Sequence, residues 1–143
     1  MRRLDDTWLH FYEQFLAAYD PKLRDQLGVY YTPAPVINAQ VALLDDILRG
    51  RLDKSLGLAS PGITVLDPGV GTGSYPLAVI EAAAATVHRV QGPGAVPQAV
   101  SALAENLFAF ELLVGPYSVA HLRIAEAIED LQGALPRVAF VST

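Results

Sequence analysis

The residues best suited to chemistry in this chain sit in ten consecutive positions, LDPGVGTGSY, Leu66 to Tyr75. An acid, Asp67, stands directly before glycines at alternate positions, Gly69, Gly71 and Gly73. The β-branched ITVLD ahead of them predicts a strand, and SYPLAVIEAAAATVHRV after them predicts a helix. Glycine lets a backbone come close to a ligand and accepts positive φ, while a helix N-terminus presents N–H groups with no partner inside the helix. Strand, glycine turn and helix together describe the first β–α turn of a Rossmann-like sheet.

Two ligand classes suit such a turn. A dinucleotide site uses G-x-G-x-x-G, whose last glycine permits close helix–strand packing. Here Ser74 falls where that glycine belongs, and the charge of Asp67 opposes a pyrophosphate. An acid followed by a glycine turn is better matched to a ligand with a cationic end and a carboxylate. S-adenosylmethionine carries an ammonium, a carboxylate, a sulfonium and an adenosine, and meets that description. The plain alternative is a tight loop that holds nothing.

A second acid, Glu111, closes the segment LFAFE. At the end of a second parallel strand, a carboxylate can accept both ribose hydroxyls of a nucleoside lying across the strand ends. A solvated strand-end charge is the competing reading. Upstream, GVYYTPAP is extended, because Pro33 and Pro35 push their predecessors out of the helical region. It is aromatic-rich and leads into a helix, so it is placed to fold over a ligand, with Thr32 donating hydrogen bonds.

The elements that must position these residues follow from periodicity. Leu4, Trp8, Phe11, Tyr12, Phe15 and Leu16 or Tyr19 form an amphipathic helical stripe, read as helix packing and stopped by Asp20-Pro21. Thr32 is expected to cap the next helix, whose apolar stripe is Val36, Ala39, Leu43 and Ile47 and whose end is Gly50. After the strand and helix of the glycine turn come a flexible QGPGAVP, a short helix QAVSALAEN and the strand LFAFE. A helix PYSVAHLRIAEAIEDLQG and a third strand, RVAFVS, complete the series. The expected fold class is α/β: strands one to three of a Rossmann-like sheet with flanking helices, preceded by N-terminal helices. The expected division is a helical segment over 1–27 and the sheet-bearing domain over 28–143.

Composition narrows the partners. The chain has 143 residues, 52% of them hydrophobic, enough for one packed domain. Its net charge is −5 and its basic residues are dispersed, so this segment is not built to grip nucleic acid by itself. The absence of cysteine excludes disulfides, thiolate metal sites and cysteine nucleophiles, and the three scattered histidines offer no metal-ligand spacing. Neither a signal peptide nor an apolar run of membrane-spanning length is present, which leads to the expectation of a cytoplasmic protein without metal or membrane partner.

The order of these motifs resembles an amino-methylating DNA methyltransferase. GVYYTP resembles that family's N-terminal cofactor motif, and LDPGVGTGSY its D-P-A-x-G-x-G-x-F motif. FELLVGPYSVAHLRI, Phe110 to Ile124, is similar to the segment after the second strand in large single-chain, type ISP-like restriction–modification enzymes. The resemblance implies that S-adenosylmethionine is the cofactor. Tyr31, Thr32 and Pro33 would contact its methionine and adenosine parts. Asp67 would serve the ammonium, Gly69, Gly71 and Gly73 would give backbone approach, and Glu111 would bind the ribose. Gly69 departs from the family's usual alanine, and Tyr75 from its phenylalanine.

The resemblance also implies DNA adenine-N6 methylation within a restriction–modification system. That chemistry relies on an N-P-P motif ending in tyrosine or phenylalanine, whose asparagine and proline carbonyl receive the target amine while the ring stacks on a flipped adenine. No N-P-P occurs in the sequence, and no acid follows the expected third strand. No catalytic residue is therefore assigned. The expectation is the cofactor-binding part of a larger enzyme, inactive by itself, with DNA contacted by other parts. The alternatives are a methyltransferase fragment for RNA, protein or a small molecule, and a non-catalytic remnant or interaction module.

Overall fold

The computed structural model describes residues 32–133. The chain divides into two compact units, Met1–Thr32 and Pro33–Thr143, and every element named below belongs to the second. The expected helix Leu4–Tyr19, the cofactor candidate Tyr31 and the expected strand RVAFVS lie outside the described residues.

Helix α1 spans Ala34–Arg51. Thr32 does not cap it: Pro33 is the N-cap residue, without a side-chain capping bond, and Pro35 sits in the first turn, where its missing N–H costs nothing. The helix runs past Gly50 and ends at Leu52. Its buried face also differs from the expected stripe. Ile37, Val41 and Asp45 are inside, whereas Val36 and Leu43 are 44% and 60% exposed. The reason is Asp45. An apolar periodicity search passes over an acid, yet Ile37, Val41 and Asp45 stand at four-residue steps on one face.

A single turn of 3-10 helix, Gly57–Ala59, leads to strand β1, Val65–Asp67. Helix α2, Ser74–Gln91, follows the glycine turn and ends at Gly92, whose φ is 90°. QGPGAVP is not a loose excursion. It forms a 3-10 turn over Pro93–Ala95 that runs directly into α3, Val96–Glu105. Pro93 and Pro97 both fall in first-turn positions, where fixed φ suits a helix start, and Val96 is buried in the core.

Strand β2, Leu107–Ala109, pairs parallel with β1, Val65 opposite Leu107, Leu66 opposite Phe108 and Asp67 opposite Ala109. Helix α4, Val114–Asp130, carries Pro116 in its first turn, and Gly133 lies just beyond its end. The α/β class with a parallel sheet is thus present, and the described residues contain two strands of it.

Helix α2 is the centre of the packing, touching α1, α3 and α4. Ile80, Ala83 and Val87 of α2, Val100 of α3 and Ala120 and Ile128 of α4 form the innermost part of the core. One sheet face is left apolar and open: the register partners Leu66 and Phe108 are 61% and 49% exposed. Among the described residues no helix is long and apolar enough to cross a membrane, and no group of acids and histidines is arranged to hold a metal.

Candidate functional site

The glycine turn begins where β1 ends and is held against β2 by an extension of the strand pairing. Phe110 donates its N–H to the Asp67 carbonyl at 2.9 Å, and Val70 donates to the Phe110 carbonyl at 2.9 Å. The turn is thereby fixed at the carboxyl ends of two adjacent parallel strands, the position at which open α/β sheets bind ligands.

Within it, the three glycines have different reasons to be glycine. Gly71 and Gly73 have φ of 55° and 88°, a region that disfavours any side chain. A methyl group built on Gly73 would lie 3.2 Å from Ala120 Cα, so α4 packs directly on this residue. Gly69 has neither constraint: its φ is ordinary and nothing lies within 4 Å of an added methyl. Open space also faces Gly71. Gly69 and Gly71 thus border free volume, and Gly73 is a packing residue.

Asp67 and Glu111 stand on either side of the turn. Asp67 Oδ1 accepts the Gly69 N–H at 3.1 Å. Its other oxygen, Oδ2, is buried and has no hydrogen-bond partner. Burial pushes the Asp67 carboxyl above its ordinary range, the Gly69 N–H pulls it back, and the charge of Glu111 adds a further upward push. Glu111 accepts the Gly71 N–H on Oε2 at 2.9 Å and the Leu113 N–H on Oε1 at 2.8 Å. Each of its oxygens keeps a second lone pair for another donor.

Helix α2 starts at the turn with Gly73 as N-cap and no side-chain cap. Close by, the Tyr75 hydroxyl donates to Gln40 Oε1 and joins α2 to α1. The hydroxyl that distinguishes Tyr75 from phenylalanine therefore has a partner. Thr32 and Pro33 are exposed at the entry to α1. His121 is exposed and stacks with Tyr117 at a ring separation of 6.3 Å.

The sequence profile of the N-6 DNA methylase family matches residues 3–125 of this chain. The chain belongs to the N-6 DNA methylase family. Two solved structures are similar to it. A DrdV–DNA complex determined by cryo-electron microscopy shares 27% identity with a TM-score of 0.69, over 87% of this chain and 11% of that one. A nuclease-deletion mutant of the type ISP restriction–modification enzyme LlaGI, in complex with a DNA substrate mimic, shares 20% identity with a TM-score of 0.62, over 90% of this chain and 10% of that one. This methylase-family chain thus spans about a tenth of the length of each. No curated protein matches it.

The structure brings together Asp67, Gly69, Gly71, Gly73 and Glu111 from the sequence-derived site. Two partners of the turn were not anticipated. The Leu113 N–H on Glu111 is invisible in sequence because a backbone group carries no residue identity. Arg123 reaches the turn from α4, and the one available signal was its place in FELLVGPYSVAHLRI.

Proposed function

We propose that this chain is the S-adenosylmethionine-binding part of a DNA adenine-N6 methyltransferase belonging to a restriction–modification system. The observation that carries the reading is the buried, unpartnered Oδ2 of Asp67 at the strand ends, next to open backbone at Gly69 and Gly71. A buried carboxylate oxygen without a donor is costly, and a ligand ammonium removes that cost. Asp67 would take the ammonium, Gly69 and Gly71 would let the methionine part approach, and Glu111 would accept the ribose hydroxyls on its remaining lone pairs. By the resemblance of GVYYTP to the family's N-terminal cofactor motif, Tyr31, Thr32 and Pro33 would contact the cofactor.

When bound, S-adenosylmethionine supplies a methyl group on positively charged sulfur. The residues of this chain bind and orient it, and keep its ammonium out of water beside Asp67. Family membership and the DNA complexes of the two similar enzymes support DNA as the methyl acceptor. The sequence holds no N-P-P, so the proposal places amine recognition and methyl transfer in other parts of a larger enzyme and none of it in this chain alone.

Calorimetric titration of the 143-residue chain with S-adenosylhomocysteine tests the reading. Saturable heat is expected for the natural sequence, and Asp67→Ala should abolish it. Undiminished binding by Asp67→Ala would remove the assignment.

A further inference from the structure

The segment FELLVGPYSVAHLRI has one obvious cofactor candidate, Glu111, and fourteen other residues that the proposed function leaves unused. Besides Phe110, whose backbone bonds to Asp67 and Val70, three of its members touch the glycine turn. Glu111 accepts the Gly71 N–H. Ala120 packs on Gly73 so closely that a methyl group added there would lie 3.2 Å from Ala120 Cα. Arg123, one helical turn further on the same face of α4, donates from Nη1 to the Thr72 carbonyl at 2.8 Å and lies 3.5 Å from Thr72 Oγ1.

Thr72 is 1% exposed, so its carbonyl meets Arg123 away from bulk water, where a charge-assisted bond is stronger than at the surface. The N–H of the same peptide, from Gly73, donates to the Val70 carbonyl at 2.9 Å. Both ends of the Thr72–Gly73 peptide are therefore pinned. Rotating it would break both bonds. The neighbouring Gly71 N–H is pinned from the opposite side by Glu111.

We infer that Arg123 is a positioning residue for the cofactor turn, acting through the Thr72 carbonyl to hold the Gly71–Gly73 backbone in the shape that receives the amino-acid end of the ligand. It touches no ligand itself. The inference rests on the reading of the turn as a cofactor site and adds to it a specific division of labour. The methionine end depends on Arg123 of α4 together with the Glu111 bond to Gly71, whereas the nucleoside end depends on Glu111 and not on Arg123.

The test compares two ligands on the full chain. S-adenosylhomocysteine carries both ends, and adenosine carries the nucleoside end alone. Arg123→Met removes the charged donor from the Thr72 carbonyl and should weaken S-adenosylhomocysteine by about tenfold while leaving adenosine affinity within about twofold. Arg123→Lys keeps a cationic donor and should recover most of the loss. A purely structural role predicts equal losses for both ligands, and that result overturns the inference, as does unchanged S-adenosylhomocysteine affinity. If Arg123→Met does not fold, Arg123→Gln decides: weaker S-adenosylhomocysteine with unchanged adenosine supports the inference, and parallel behaviour of the two ligands sinks it. Failure of the natural sequence to bind S-adenosylhomocysteine at all strikes the proposed function, and this inference with it; binding that ignores Arg123 strikes the inference alone.

Discussion

Asp45 and Asp67 are both inward-facing aspartates, and the protein treats them in opposite ways. Asp45 is 5% exposed and fully engaged: Leu58 N–H donates at 2.9 Å, Arg49 Nε at 2.8 Å and Thr86 Oγ1 at 3.3 Å. These partners come from α1, the 3-10 turn and α2, so the carboxylate joins three elements. Gly57 makes room for it, since a methyl group there would overlap Asp45 Oδ1 at 1.8 Å. Asp67 has one backbone donor, a second acid nearby and an oxygen with nothing to bond. A carboxylate that organises the framework is saturated within the fold. One left half-satisfied beside open backbone keeps capacity that the described fold does not use, which supports the proposed ligand role.

The largest expected effect is on the framework side. Asp45→Ala strands a buried N–H and a hydroxyl and removes one of the two carboxylate partners of Arg49, and should cost about 3 kcal/mol of unfolding free energy in a denaturant titration. A loss under about 1 kcal/mol would mean that Asp45 is no more structural than a surface acid, and the contrast would fail.

The glycine turn offers an internal version of the same comparison. Gly73→Ala meets both a left-handed backbone and Ala120, and should destabilise by about 2 kcal/mol. Gly69→Ala meets neither and should change stability by less than about 0.5 kcal/mol. Thermal unfolding of the two variants side by side reads the difference. Equal destabilisation would show that the turn is uniformly strained and that its open side is not special.

The smallest effect sharpens the ligand side. Because the folded state raises the Asp67 carboxyl above its ordinary value, the folded chain holds that proton more tightly than the unfolded chain. Its contribution to stability therefore declines as pH rises through the window between the two values. A ligand ammonium favours the charged form, so S-adenosylhomocysteine affinity should rise with pH across that window and level off above it. Asp67→Asn should flatten this dependence in titrations at a series of pH values, and should leave stability at neutral pH unchanged or slightly higher.

Much of this arrangement was readable in the residues. The acid-led glycine turn, the two strands around it and the α2 and α4 helices follow from β-branched runs, glycine spacing and helical periodicity, all of which are local. The α1 face departs from the expected stripe because one of its buried positions is an acid, and besides Arg49 on the same helix it takes donors thirteen and forty-one residues away to make an acid tolerable there. Glycine and proline in QGPGAVP announce a loose loop, yet Pro93–Ala95 form a 3-10 turn that leads straight into the buried Val96 at the start of α3.

By itself, the sequence singled out the residues proposed to hold the cofactor, Asp67, the glycines and Glu111, and through their order the likeness to DNA methyltransferases. Tertiary structure alone decided how that chemistry is shared out. Gly73 belongs to packing because α4 lies across it, Glu111 holds Gly71 from forty residues away, and Arg123 reaches Thr72 from fifty-one. Backbone conformation is a local property that glycine spacing announces, whereas the saturation of a carboxylate or a carbonyl depends on donors brought in from distant elements. No pattern in the residues records those donors until the chain has folded.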